Sequence, residues 1–316
     1  MRLRSPRLLV PALAILALAV APASFAAEPT TIDPGSLERG DNPRVPQVLG
    51  TTILDGDVKI RIKAQEVQLY GTSDDDYVVG VWQDGRSSVQ RVAVDGSRRT
   101  VREGITGDIT LSRDGEQLIE SVYRAGGTTV ITVRDARTGD RLNRHRFTGY
   151  TSVLDADAGR AVLGASSPGR TVSWRTDTSL VRRISGREGY FADIRADRLA
   201  VLTGHPYDGG CSVVSSLTAP NRPLWRSCSQ GVVSASPNGK RLLTMHLLSD
   251  GPNGTLSVHR DHGRQVASYR AAYAFGRSGF ETNRSVLMVA EGSEKTALVR
   301  CRVGECERAS KRVARP

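Results

Sequence analysis

Few residues in this chain have the type and spacing to do chemistry. His205 and Asp208 stand three apart in a Gly-rich stretch, where an imidazole and a carboxylate could act as an acid–base pair. No nucleophile or second carboxylate is evident beside them, so no catalytic residue is assigned. His259-Arg260-Asp261-His262 has the look of a metal or catalytic cluster, but its position around Asp261-His262-Gly263 reads as a polar hairpin turn. Asp74-Asp75-Asp76 could contribute oxygens to a calcium ion. Such a site needs six or more oxygens from several segments, so a solvated surface turn is the simpler reading. No H-E-x-x-H, G-x-S-x-G or Walker-type loop occurs, and neither a metal site nor a cofactor is expected.

The four cysteines carry more information. Cys301 and Cys306 bracket Arg302-Val303-Gly304-Glu305. A two-residue turn at Val303-Gly304 sets Arg302 opposite Glu305 and Cys301 opposite Cys306, where antiparallel strands come closest. Cys211 and Cys228 fit the register of another hairpin with Thr218 to Asn221 as its loop. Two disulfides, 211–228 and 301–306, are therefore expected, which implies an oxidising compartment. Zinc is disfavoured, because no C-x-x-C is present and no His stands at ligand spacing from either pair.

The amino terminus agrees with export. Arg2, Arg4 and Arg7 precede an apolar run from Leu8 to Val20, and Ser24 and Ala26 occupy the −3 and −1 positions of a cleavage site. Residues 1–26 read as a Sec signal peptide, without the twin arginine of the Tat route or a cysteine for lipid attachment. Its removal lowers the formal net charge from +11 to +8. No later stretch is apolar enough to cross a bilayer, so the exported chain is expected to carry no transmembrane anchor. Of the 44 basic residues 39 are Arg, spread along the chain without a basic helix or RNA-binding signature. That argues against a nucleic-acid partner and for weak attraction to anionic envelope polymers.

The elements that must position these residues are short β-rich runs punctuated by Gly, Asp, Asn and Pro, with no helical period of any length. Residues 27–46, with four prolines, read as an extended leader, and 311–316 as a basic tail. Between them a turn followed by a buried strand recurs at Asp75, Gly115, Gly159, Asp197, Gly239 and Asn283, in steps of 40, 44, 38, 42 and 44 residues. That period is the length of a four-stranded blade. The chain is therefore expected to be all-β, a single β-propeller of six to seven four-stranded antiparallel blades over 47–310. A hairpin at Thr51–Leu54 and Val58–Ile62 could supply half of a seventh blade or close the ring.

Ser236-Pro237-Asn238-Gly239-Lys240-Arg241-Leu242-Leu243 resembles the S-P-D-G-K-R-L-A repeat of WD40-like propellers of the TolB type, and Ser112-Arg113-Asp114-Gly115 is a looser match. The resemblance spans about residues 66–310, yet only one unit matches well. It implies the propeller fold, while the extra amino-terminal domain of TolB has no counterpart here.

Propeller ligands usually meet the face formed by the d–a and b–c loops. The strand assignment places Trp82, Tyr123, Arg124, Tyr150, Tyr190, His205, Tyr207, Asp208 and Tyr273 in or beside those loops. Aromatics and arginines together suit a peptide or an anionic polymer. The same aromatics could instead fill gaps between blades. The expected function is that of a secreted, monomeric, non-enzymatic module that binds a protein or an anionic envelope polymer. The alternative is a propeller hydrolase or lyase acting on a glycan or lactone through His205 and Asp208.

Overall fold

The computed structural model describes residues 28–315, so the expected signal peptide lies outside the described residues. Strands dominate, and the only helical turn among the described residues is the 3-10 turn Pro206–Asp208. The strands form a β-propeller. Blade one consists of Glu66–Ser73, Asp76–Gln83, Arg86–Val92 and Arg98–Glu103. Blade two is Asp108–Leu111, Gln117–Arg124, Thr128–Asp135 and Arg141–Thr148. Blades three and four repeat the pattern from Tyr150 to Ser185 and from Gly189 to Ser227. In each blade the four strands, a to d, are paired in sequence order by antiparallel ladders.

Blades five and six share a strand. Gln265–Phe280 runs for 16 residues. Its first half pairs with Asn253–Arg260 as strand d of blade five. Its second half pairs with Val286–Glu291 as strand a of blade six. A d–a loop was expected near Arg270–Tyr273; the backbone instead stays extended, because Arg270-Ala271-Ala272-Tyr273-Ala274 contains none of the residues that turns require. A seventh, three-stranded sheet of Gln47–Leu49, Thr52–Asp55 and Val58–Arg61 contains the expected hairpin and adds a strand to it. Ile53, Ile60 and Ile62 pack on the Val67, Leu69 and Tyr77 side of blade one. Leu54 and Val45 pack with Leu287, Leu298 and Ala309 of blade six. This sheet thereby closes the ring.

The core consists of the interfaces between blades. Each is a lamella of β-branched and aliphatic side chains, such as Ile119, Ile131, Val133, Ala161, Leu163 and Trp174 between blades two and three. Close approach needs a glycine where blades three and four meet: a Cβ on Gly164 would collide with the backbone carbonyl of Gly189 in the next blade.

The a–b turns show why the Ser-Pro-Asn-Gly signature is read as a blade marker. Ser236 Oγ donates to Asn238 Oδ1 (2.9 Å), the same oxygen accepts from Lys240 N (3.1 Å), and Arg241 N donates to Ser236 Oγ (3.0 Å). Gly239 takes φ of +68°, a region glycine reaches without steric cost. In blade two Gln117 N donates to Ser112 Oγ (2.9 Å) and Glu116 N to Asp114 Oδ1 (3.2 Å), the same module. Each turn also reaches the next blade, through Asn238 N to Asn283 Oδ1 (2.9 Å) and Ala158 N to Asp114 Oδ2 (2.9 Å).

Residues 30–44 pack along the outside of blades five and six. Thr30–Ile32 pairs in parallel with Tyr269, Arg270 and Ala271, and Ile32 is fully buried. Gly40 N donates to the Arg308 carbonyl (2.9 Å), and Arg308 N donates to that of Glu38 (2.8 Å). Val313–Ala314 pairs with Lys295 and Thr296.

Both disulfides form as expected. Cys301 lies opposite Cys306 in the ladder, with Cα atoms 4.2 Å apart. Cys211 and Cys228 follow the register of Ser212 opposite Ser227, with Cα atoms 4.1 Å apart. Each ties strand c to strand d at a blade's outer edge, the strand edge most open to pairing with other chains.

Candidate functional site

The b–c and d–a connections emerge at one end of the ring, and the candidate residues separate there into two groups. Tyr123 ends strand b of blade two, and Tyr150 opens strand a of blade three. Their rings meet edge-to-face with centroids 5.7 Å apart, yet both stay about half exposed, at 54% and 48%. One backbone and one side-chain bond hold the loops together: Gly149 N donates to the Gly127 carbonyl (2.8 Å), and Thr129 Oγ1 donates to the Gly149 carbonyl (2.8 Å). Arg124 is exposed beside Tyr123, and Arg170 donates to the Thr148 carbonyl (2.7 Å). Fixed aromatic faces flanked by guanidinium groups suit a peptide or polymer that offers both apolar and anionic surface.

Other candidates are engaged by the protein itself. Tyr190 is not open to a ligand: its ring packs between blades four and five, its hydroxyl contacts Ser212 Oγ, and it accepts from Val232 N (3.0 Å). Burial raises its phenol above the ordinary value. Trp82 is half-buried and lies over Gly80 beside Tyr70. Tyr273 is exposed at 53%, and the Arg315 guanidinium sits 4.2 Å above its ring centroid.

His205, Tyr207 and Asp208 occupy the b–c connection of blade four, around the 3-10 turn. His205 Nδ1 is 3.9 Å from Asp208 Oδ2, too long for a hydrogen bond, and both side chains are largely exposed. The His205 and Tyr207 rings lie 5.7 Å apart. Sequence reasoning passed over Glu188, a half-buried residue of the neighbouring d–a loop. Burial raises its carboxyl above the ordinary range, and the proximity of His205 pulls it back in part. Glu188 precedes Gly189 in a loop of known place, but its closeness to His205 depends on how two connections fold over each other.

The two remaining clusters prove structural. Asp74 and Asp76 do not simply solvate a turn; they pair with the buried Arg91 at 3.2 and 2.8 Å, and Asp74 also pairs with Arg137 of blade two at 3.0 Å. His259 departs from the polar-turn expectation as well. It is 5% exposed, stacks on Trp225 with ring centroids 4.8 Å apart, and places Nδ1 3.0 Å from the Gly263 carbonyl. Asp261 pairs with Arg198 through Oδ2 (2.8 Å), and its Oδ1 lies 3.2 Å from Nδ1 of His262, which is exposed at the rim. Among the described residues no group of three or more His, Cys, Asp or Glu side chains is placed to hold a metal.

This geometry defines a class. The chain is a β-propeller of six four-stranded blades and a three-stranded closing sheet, and its likeness to WD40-like propellers is one of fold. No protein-family model and no curated protein matches its sequence. Solved structures do. The acylaminoacyl peptidase of Pyrococcus horikoshii superposes with a TM-score of 0.59 at 10% identity, over 82% of this chain and 47% of that one. Hsv2 of Kluyveromyces marxianus gives 0.54 at 13% identity, over 84% and 95%. The propeller domain of the Trilobed protease from Pyrococcus furiosus, described as having an open velcro topology, gives 0.50 at 12% identity, over 86% and 85%.

Proposed function

We propose that this protein is a non-enzymatic, extracytoplasmic binding module that holds a protein or an anionic envelope polymer at the loop end carrying Tyr123 and Tyr150. The observation that carries this reading is the tyrosine pair. Two large rings from successive blades meet edge-to-face and are left half exposed. Exposed aromatic surface in a fixed geometry costs little entropy to engage. The two disulfides support an oxidising compartment, as do the three arginines and apolar run at the amino terminus. Among the described residues no helix is long and apolar enough to cross a membrane.

The test is capture from a bacterial envelope fraction by immobilised protein. The Tyr123→Ala/Tyr150→Ala variant is expected to lose about thirtyfold in affinity, since two aromatic anchors that become buried on binding each contribute about 1 kcal/mol. A Trp82→Ala control should retain binding. Undiminished capture by the double variant would remove the loop end from the binding surface.

One observation favours a second reading, a hydrolase or lyase. Burial raises the half-buried Glu188 carboxyl, and His205 is close enough for its charge to oppose that in part; such a pair could share acid and base roles. Turnover of a glycan or lactone panel that disappears in both His205→Ala and Glu188→Gln would establish it.

A further inference from the structure

Three guanidinium groups in this propeller are each met by two carboxylates. Arg91 has Asp74 and Asp76, Arg113 has Asp155 and Asp193, and Arg300 has Glu281 and Glu307. Elsewhere five arginines gather around a single carboxylate. Between the outer strand of blade one and the facing side of blade two lies a cleft of about 180 Å3, lined by Arg102, Arg124, Arg134, Arg141 and Arg144. Its only carboxylate is Glu120, whose side chain is 6% exposed. Glu120 Oε1 accepts from Thr106 Oγ1 (3.1 Å), and Oε2 lies 3.7 Å from Arg102 Nε, beyond hydrogen-bond reach. The Nε groups of Arg102 and Arg134 are buried without a hydrogen-bond partner. Arg134 uses its Nη1 on the Gly139 carbonyl (3.0 Å). The ladder fixes the guanidinium-bearing positions, since Arg144 lies opposite Thr132 and Arg141 opposite Arg134.

Five like charges facing one carboxylate repel each other, and buried donors without acceptors lose their hydration. An anionic occupant relieves both costs. A phosphate group suits better than a carboxylate, because its three or four acceptor oxygens and greater charge can bridge several forked donors at once. We propose that this cleft is a binding site for phosphate groups, presented by a phosphate-bearing polymer or a lipid headgroup. The ligand class rests on the binding-module reading; Arg124 lines the cleft with Glu120 and Val122, the residues that alternate with it along the strand.

The experiment titrates full-length exported protein with inorganic polyphosphate at low and physiological salt, and repeats the titration with polygalacturonate as a carboxylate comparator. Arg134→Gln/Arg144→Gln is expected to weaken polyphosphate binding about tenfold or more. Arg260→Gln/Arg284→Gln, which changes two arginines that line a different cleft with Lys240 and Arg241, should weaken it less than about twofold. Glu120→Gln is expected to tighten binding about threefold, a gain that a purely structural Glu120 would not produce. Unchanged thermal midpoints show that the variants fold. Retention on phosphatidylglycerol vesicles, with the same dependence on the cleft arginines, assigns the phosphate to a headgroup; its absence assigns it to a polymer. Equal losses in both arginine pairs, equal affinity for polygalacturonate, or no polyphosphate binding would each overturn the proposal. Because the probe is offered directly, these outcomes are independent of envelope capture by the tyrosine pair.

Discussion

Arg300 and Glu281 are each 1% exposed at the side chain and ion-paired, and Arg300 also reaches Glu307 (2.7 Å) and the Asn42 carbonyl (2.8 Å). Burial pushes the Glu281 carboxyl up, but the bonds from Arg300 and the Arg44 N–H, with the charges of both arginines, together outweigh that and hold it below its ordinary value. Removing one partner of such a pair leaves an uncompensated buried charge. Arg300→Gln is therefore expected to cost about 3–5 kcal/mol in urea unfolding. His259 acts in the opposite sense. Burial holds its pKa below the ordinary 6.5, so the unfolded chain takes up a proton that the folded one refuses. Its contribution is present above pH 6.5 and declines as pH falls towards the lower folded value. A His259→Phe variant should show a shallower loss of melting temperature between pH 7 and pH 5.5. Neither role was legible in the sequence. Whether an aromatic or histidine at a strand end meets solvent or fills a gap depends on the adjacent blade, as Tyr190 and Trp225 show, and a repeat unit read alone contains only one side of each interface.

At the scale of elements much more could be read, because hairpin register is local arithmetic. Cys301 opposite Cys306, and Cys211 in register with Cys228, follow from the turn position and the alternation of the strands. The Ser-Pro-Asn-Gly turn is likewise set by its own side chains. Replacing Cys211 and Cys228 together with Ser is expected to lower stability by about 3 kcal/mol, and the Cys301/Cys306 pair by about 2, as loop-closure entropy assigns. Denaturant midpoints under oxidising conditions measure both. The shared strand of blades five and six escaped sequence reasoning, since a missing turn is a weaker signal than a present one. The three-stranded closing sheet shows the same limit: its hairpin carries Asp55-Gly56-Asp57, but the strand Gln47–Leu49 that completes it has only a short apolar pattern.

For the whole molecule, the 38- to 44-residue repeat fixed the propeller class and left the blade count open. Closure was hidden because it joins segments at opposite ends of the sequence. Ile32 and Leu37 pack into the same cluster as Val286, Met288 and Val299. Arg300 grips the Asp41 and Asn42 carbonyls. Removing residues 28–44 from the exported chain should strip that cover and lower the thermal midpoint by several degrees, as expected when buried apolar side chains and a buried ion pair are lost. The far-UV spectrum should stay that of a β protein. The closing sheet and the strap that precedes it have a further consequence for timing. They are made before every blade, yet the surfaces they cover, around Tyr269, Leu298 and Arg308, belong to blades five and six and are synthesised after the other four. Contacts of such long sequence separation form slowly. For most of its synthesis the nascent chain must therefore carry an unpartnered amino-terminal segment and an open sheet edge, and the ring completes only when its final blade arrives.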